Sequence, residues 1–325
     1  MAHDDDILVS LVACDTYANE TLTPALDQLL HHLGGLATFV SAGERVLIKP
    51  NLVVAKERST ATQTDPAIIY AIAERLIALG AHVTVADSPA FGTTKSCLKK
   101  LGIEEDLLTL GVAICDLKNA IKTKVSFSND VVGLSALALQ ADKVINLAKF
   151  KSHQQMVMTL GVKNLFGCVV GKEKPIWHYR RGKVAADFAI LLLGISEKIA
   201  PVLTIVDGVM AMEGNGPTSG NQRHFGVLVA STNTVAVDAV CCKLVSRSLA
   251  SVPISACAQK LQLPGANFDT LTLVGDDITS QIVSDFVHPD MMPIRFSPTK
   301  IIRSAIKQFM LNRKRESKNI SIYNG

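Results

Sequence analysis

An α/β fold with a largely parallel, covered sheet is what this sequence predicts, arranged either as one body or as two lobes around a cleft. Short β-branched runs alternate with helical stretches along most of the chain, the pattern of strands joined by crossover helices. Of 325 residues, 48% are hydrophobic and 19% charged, enough apolar mass to cover a sheet on both faces. Helix start and stop signals fall where the alternation needs them.

Taken in order, "ILVSLVAC" (7–14) reads as a strand and "TLTPALDQLLHHL" as the helix after it. "RVLIKPNLVV" (45–54) precedes "DPAIIYAIAERLIALG", where Asp65 is an N-cap acceptor, Pro66 the first helical residue and Gly80 the stop. "HVTVADSP" (82–89) precedes "TKSCLKKLG". Further strands follow at "VAICDL", "TKVSFS", "KVINLA", "VLTIVDGV", "FGVLVAS" and "TLTLVGDD". The Ala/Val spacing of "ASTNTVAVDAVCCKLVSRS" predicts a buried helix after a strand, and "FAILLLGI" (188–195) has the length of a core helix. With no internal repeat or low-complexity linker, residues 1–297 form the α/β unit; 298–325 read as a basic amphipathic helix with a polar end.

Composition excludes several function classes. A net charge of +4 is too mild for a nucleic-acid binder, and 5% aromatic residues leave few stacking platforms. The acidic N-terminus "MAHDDDILVS" does not resemble a secretory signal, and no apolar run reaches membrane-spanning length, so a cytoplasmic location is expected. Seven scattered cysteines without Cys-x-x-Cys fit reduced, mostly buried thiols, not a zinc knuckle or a ferredoxin-type cluster.

Ligands of open α/β sheets bind beyond the carboxyl ends of strands. Those ends here deliver Lys49 and Asn51, then Asp87, then Lys149, Lys151 and His153, then Asp207, Glu213 and Asn215. Each alone can be ordinary turn chemistry; their number favours one cleft lined by Lys49, Asp87, Lys151 and Asp207. The stretch "EGNGPTSGNQRHFG" (213–226) has four glycines, suited to close backbone approach to a ligand. It has neither a Walker sequence nor a dinucleotide fingerprint.

Cations concentrate in "KFKSHQQMVMTLGVKNLFGCVVGKEK" (149–174), which holds Lys149, Lys151, Lys163, Lys172 and Lys174 around His153. Neighbouring ammonium groups depress one another's pKa and can leave one lysine neutral and nucleophilic, and would push His153 toward its neutral form. Lys163, flanked by "TLGV" and "NLFG", is expected either to pair with Asp87 or Asp207 or to be deprotonated by the charges of Lys149 and Lys151.

The run "KPN", "TDP", "ADSP", "KFKSH", "TLGVKNLFG", "IVDGVMAMEGNGPTSG" and "ASTNTVAVDAV", in that order over about 7–276, resembles the domain-of-unknown-function family 362. Many members carry ferredoxin-like cysteine motifs, which this chain lacks. The ten-residue spacing of His153 and Lys163 is similar to that of the nickel-pincer lactate racemases, where a lysine holds an organic cofactor, although the surrounding residues differ. That likeness implies a two-lobed α/β body, basic residues for a carboxylate or phosphate, and histidine acid/base chemistry.

The expected function is therefore an enzyme acting on a small anionic metabolite. Its catalytic residues are His153, Lys163, Asp87 and Asp207. Substrate contacts come from Lys49, Asn51, Lys149, Lys151, Asn164, Lys172, Glu213 and Asn215. Cofactor identity stays open between a divalent metal and a lysine-anchored organic group. A redox protein and a non-catalytic assembly or binding factor are the alternatives.

Overall fold

In the computed structural model, residues 7–171 and 173–294 are described; Lys172 and the tail 298–325 lie outside the described residues. Eleven strands are described: β1 (Ile7–Ala13), β2 (Arg45–Pro50), β3 (His82–Asp87), β4 (Ala113–Asp116), β5 (Ala120–Lys124), β6 (Val131–Ser135), β7 (Lys143–His153), β8 (Val157–Thr159), β9 (Leu203–Glu213), β10 (Asn221–Ser231) and β11 (Leu271–Gly275). Nine form one sheet in the order β11-β1-β10-β9-β7-β2-β3-β4, with β8 paired to β7 off that path; β5 and β6 make a separate hairpin.

The middle of the sheet, from β9 through β7, β2 and β3 to β4, is parallel. Antiparallel pairing enters where β10 joins β9 and β1. The fold is thus α/β with a mostly parallel sheet. Its antiparallel part comes from "LTIVDGVMAME" and "NQRHFGVLVAS", which the Gly-rich stretch joins as a hairpin.

Strict alternation divides the core between two faces. Val46, Ile48, Val85, Ile145, Leu147, Leu203 and Ile205 pack on one side with Leu26 and Leu29 of the helix Asn19–His31 and Ile68, Ile69 and Ile72 of the helix Pro66–Ala78. On the other side Leu47 and Val144 meet Phe188, Leu191 and Leu192 of the helix Ala185–Ile199. Ala148, Phe150 and Val206 meet Val237 and Val240 of the helix Thr234–Leu244 on that same side. The helix Pro66–Ala78 begins as its sequence dictates: Asp65 accepts from Ala67 N at 2.9 Å, proline opens the first turn, and Gly80 follows at φ +80°. No helix among the described residues is long and apolar enough to cross a membrane.

Candidate functional site

The polar strand ends form two networks instead of one cleft. Lys49 pairs in register with Asn146 and extends its side chain to the face that carries Leu47. There its ammonium meets Asp87 Oδ1 at 2.7 Å, Pro50 O at 2.7 Å and Asn164 Oδ1 at 3.4 Å, which uses all three of its protons. Asp87 also accepts from Leu52 N at 2.9 Å and Ser88 N at 2.8 Å. Burial pushes this carboxyl up, but the Lys49 and Lys174 charges outweigh it and hold the pKa below the usual carboxylate value.

An amide chain extends from this pair. Asn51 donates to Asn164 Oδ1 at 2.9 Å, and Asn164 donates to Asn146 Oδ1 at 2.8 Å. Lys151 lies past the end of β2, and its ammonium reaches Asn51 Oδ1 at 2.8 Å and Thr62 O at 2.7 Å. It is fully buried without a carboxylate partner among the described residues. Burial first, then the charges of Lys163 and Lys149, put its pKa well below the ordinary lysine value.

Lys149 and Asp207 pair in register on β7 and β9, on the opposite face. Lys149 Nζ donates to Asp207 Oδ2 at 2.7 Å and to Tyr17 Oη at 2.9 Å; Tyr17 Oη donates to Asp207 Oδ1 at 2.7 Å. Asp65 N donates to Asp207 Oδ2 at 2.9 Å, which ties this triad to the start of the helix Pro66–Ala78. The expected convergence of Asp207 with Lys49, Asp87 and Lys151 is corrected accordingly. Alternation places Lys49 and Lys149 on different faces, because odd-numbered positions point oppositely in β2 and β7.

Lys163 bonds neither carboxylate, since Asp87 is held by Lys49 and Asp207 by Lys149. It is half-buried on the turn Gly161–Asn164, and its ammonium makes no hydrogen bond or ion pair with a described residue. Burial first, and then the charge of Lys174, lower its pKa to about 8. The responsible cation is Lys174, not Lys149 and Lys151. Lys174 itself is lowered to about 8 by burial, and its ammonium bonds Ser88 O.

His153, at the β7 end, is 5% exposed. Burial, then the charges of Lys163, His178 and Lys151, keep it well below the ordinary histidine pKa, so it is neutral at pH 7. Its Nδ1 accepts from Gln155 N at 3.0 Å, which puts the remaining proton on Nε2. A base role was expected; the tautomer instead makes His153 a hydrogen-bond donor.

Glu213 and Asn215 are not brought to this cluster. Glu213 pairs with Arg223 at 3.3 Å and accepts from Val287 N, and Asn215 bonds Asp290. The glycines of the 213–226 stretch serve the chain's own backbone. Gly214 O accepts from Ser152 Oγ at 2.6 Å, Gly216 O accepts from Gln154 N at 3.1 Å, and a Cβ on Gly216 would overlap Ser152. Lys172 lies outside the described residues.

Two residues were missed by reasoning from sequence. Asp238 accepts from Gly161 N at 2.7 Å and Val162 N at 3.2 Å, fixing the turn that carries Lys163, and burial raises its pKa to about 7. A lone acid amid the Ala/Val spacing of the helix Thr234–Leu244 was the available signal. The second is His178, whose charge acts on His153 and which itself is lowered to about 3 by burial and then by the charge of Lys163.

Gly167 closes the Lys49–Asp87 pair from above: a Cβ there would sit 2.6 Å from both Asp87 Oδ1 and Lys49 Nζ. Gly167→Ala is expected to destabilise the fold by about 1–3 kcal/mol, the usual cost of overpacking, read as a lower urea midpoint. An unchanged midpoint would show that the pair is not held rigidly.

A family model described as "Domain of unknown function (DUF362)" matches residues 46–243. The chain belongs to this family. The DUF362 match runs from β2 into the helix Thr234–Leu244 and so takes in the Lys49–Asp87 network, Lys149, Asp207, His153, Lys163 and Asp238, but not Tyr17. The thylakoid-associated protein sll1697 of Synechocystis sp. is 37% identical over 318 residues, 98% of each chain. Among solved structures, the lactate racemase apoprotein of Thermoanaerobacterium thermosaccharolyticum aligns at 12% identity with a TM-score of 0.49, covering 76% of this chain and 59% of its own. A Thermotoga maritima protein aligns at 11% identity with a TM-score of 0.44, covering 72% and 60%. The chain thus spans about three-fifths of either solved structure.

Among the described residues no three His, Cys, Asp or Glu side chains stand together so as to hold a metal ion. The described residues therefore do not fit a metal held by protein ligands alone.

Proposed function

We propose that the chain is an enzyme acting on a small anionic metabolite that carries a carbonyl group, with Lys163 as the nucleophile or anchoring amine. The observation that carries this reading is the isolation of Lys163. Burying an ammonium without a partner is costly, and a chain under no functional demand would replace it. With a pKa of about 8, roughly a tenth of Lys163 is the free amine at pH 7.

The neighbours fit the same chemistry. His153 presents Nε2–H, suited to a substrate oxygen that gains negative charge during attack. Lys174 supplies a charge for the anionic group. Lys49, Asn51, Lys151 and Asn164 are committed to internal partners; Lys49 contributes positive field, and the four together fix the floor of the site. Among Lys49, Lys151, Lys163 and Lys174, Asp87 is the carboxylate in an ion pair, with Lys49. Lys149 and Asp207, on the other face, have no part in this mechanism.

Two measurements test it. Calorimetry with pyruvate and with inorganic phosphate should show binding that Lys163→Ala weakens at least about tenfold. Borohydride added with pyruvate should fix the pyruvate carbon on Lys163: the amine condenses with the carbonyl, water leaves, and hydride reduces the C=N bond. Equal binding by wild type and Lys163→Ala, with no adduct, would sink the proposal. The relative's thylakoid association favours a second reading, a peripheral assembly factor, in place of the cytoplasmic enzyme. That factor would keep its cellular function with Lys163→Ala.

A further inference from the structure

We infer that a second ligand site, for a small phosphate monoester with an apolar body, lies at the carboxyl end of the helix Thr234–Leu244. A cavity of about 410 Å³ opens there, lined by Lys243, Ser246, Arg247, Leu249, Phe268 and Asp269 among others. It is of the size that small-molecule sites usually have. The inference is independent of the Lys163 reading, because none of these residues belongs to that cluster.

Two cations line this cavity without a counter-charge. Arg247 is half-buried, and its guanidinium makes no hydrogen bond or ion pair with a described residue. Its Nε is shut off from water without an acceptor, but its two Nη groups are not, so they stay open to a ligand. Taking part of a guanidinium out of water with no partner is costly, and an anion at Nη would offset that cost. Lys243 is exposed, stands over the Phe268 ring at 5.4 Å from its centroid and pairs with no described carboxylate. Neither cation is needed to cap the helix. Cys242 O accepts from Arg247 N at 2.9 Å, Lys243 O from Ser246 N at 3.0 Å and Leu244 O from Val283 N at 2.8 Å, so backbone N–H groups already serve the last carbonyls. The nearby His288 adds no charge, since burial and then Arg247 lower its pKa.

Ser246 is an independent observation. It follows the helix cap Val245 at φ +52°, the left-handed position that glycine normally takes. A side chain there strains the backbone. Ser246 lines the cavity, and its hydroxyl, which bonds no described residue, is a donor that glycine would lack. Strain kept at a position that touches a cavity fits binding better than packing. Guanidinium, ammonium and hydroxyl together suit the several oxygens of a phosphate monoester, and the planar guanidinium can take two of them at once. Leu249 and Phe268 offer apolar surface to the rest of the molecule. Asp269, exposed on the same wall and in no ion pair with either cation, opposes the anion and limits its affinity.

The test is calorimetry on the full-length Lys163→Ala protein, which leaves the other anion site weakened, with phenyl phosphate as the probe. Phenyl phosphate should bind at least about tenfold more tightly than phenol or inorganic phosphate, since each lacks one half of the match. Arg247→Gln in the same background should weaken phenyl phosphate at least about tenfold. Lys243→Gln should weaken it about threefold and Asp269→Asn strengthen it by about as much, as expected of exposed charges. Ser246→Gly should raise the urea midpoint and weaken binding together, whereas a purely structural serine would change the midpoint alone. Should Arg247→Gln fail to fold, the exposed Lys243 and the Ser246 variant decide. Phenol binding as tightly as phenyl phosphate, phenyl phosphate affinity unmoved by the Arg247, Lys243 and Ser246 substitutions, or no binding at all would overturn the inference.

Discussion

Asp87→Ala is expected to cost about 3–5 kcal/mol of folding stability, because it leaves the fully buried Lys49 ammonium without its counter-charge. That is a large part of the roughly 5–15 kcal/mol that holds a domain together, so the variant should unfold at much lower urea. A companion variant separates charge from packing. With Lys49→Met added to Asp87→Ala, much of the loss should return, since the stranded charge is gone and the stem is similar in volume. The pH dependence has a definite sign. The Asp87 pKa is lowered in the fold, so its contribution is present above the unfolded value near 3.8 and lost as pH falls through the folded one. Wild type should therefore lose more stability than Asp87→Ala between pH 5 and pH 2. Equal acid sensitivity would show that this pair does not hold the strand ends together.

The second large effect goes the other way. Lys163→Met should stabilise the fold by about 1–3 kcal/mol at pH 7 while weakening anion binding at least about tenfold, because it removes an ammonium that folding partly desolvates and gives no partner. Here the lowered folded pKa means that the unfolded chain holds its proton more tightly. The wild-type penalty is thus largest below pH 8 and fades as pH rises from about 8 toward the unfolded value of 10.5. The stability gap between Lys163→Met and wild type should shrink over that window in urea titrations. Lys163→Arg should keep the charge and still fail to form an adduct with pyruvate. A Lys163→Met variant that is less stable than wild type at pH 7 would mark this lysine as a structural residue.

The fold was legible where local chemistry and hydrophobic period agree. Asp65-Pro66 opened its helix, and "RVLIKP", "HVTVAD" and "KVINLA" became the adjacent parallel strands. The hairpin of β9 and β10 was hidden because its glycines look like a ligand loop, and only the three-dimensional approach to Ser152 explains them. Of the site, the segment 149–174 was correctly singled out as chemically dense, yet its division was not. Which lysine faces which carboxylate depends on strand parity across a register that no single segment encodes. Lys49 and Lys149 read alike in sequence and sit on opposite faces. The tautomer of His153 depends on a backbone N–H two residues away, which composition cannot show. Tyr17 sits far from the segment in sequence and enters the Lys149–Asp207 triad through the fold alone.

Lys163 as a half-buried amine of lowered pKa beside an anion site is open to direct measurement. Competitive labelling of the native protein with trace acetic anhydride from pH 6 to 11, read peptide by peptide by mass spectrometry, measures this directly. The labelling midpoint of Lys163 should fall near pH 8, with protection by added phosphate or pyruvate. A midpoint near the ordinary lysine value of 10.4, unaffected by either anion, would contradict it.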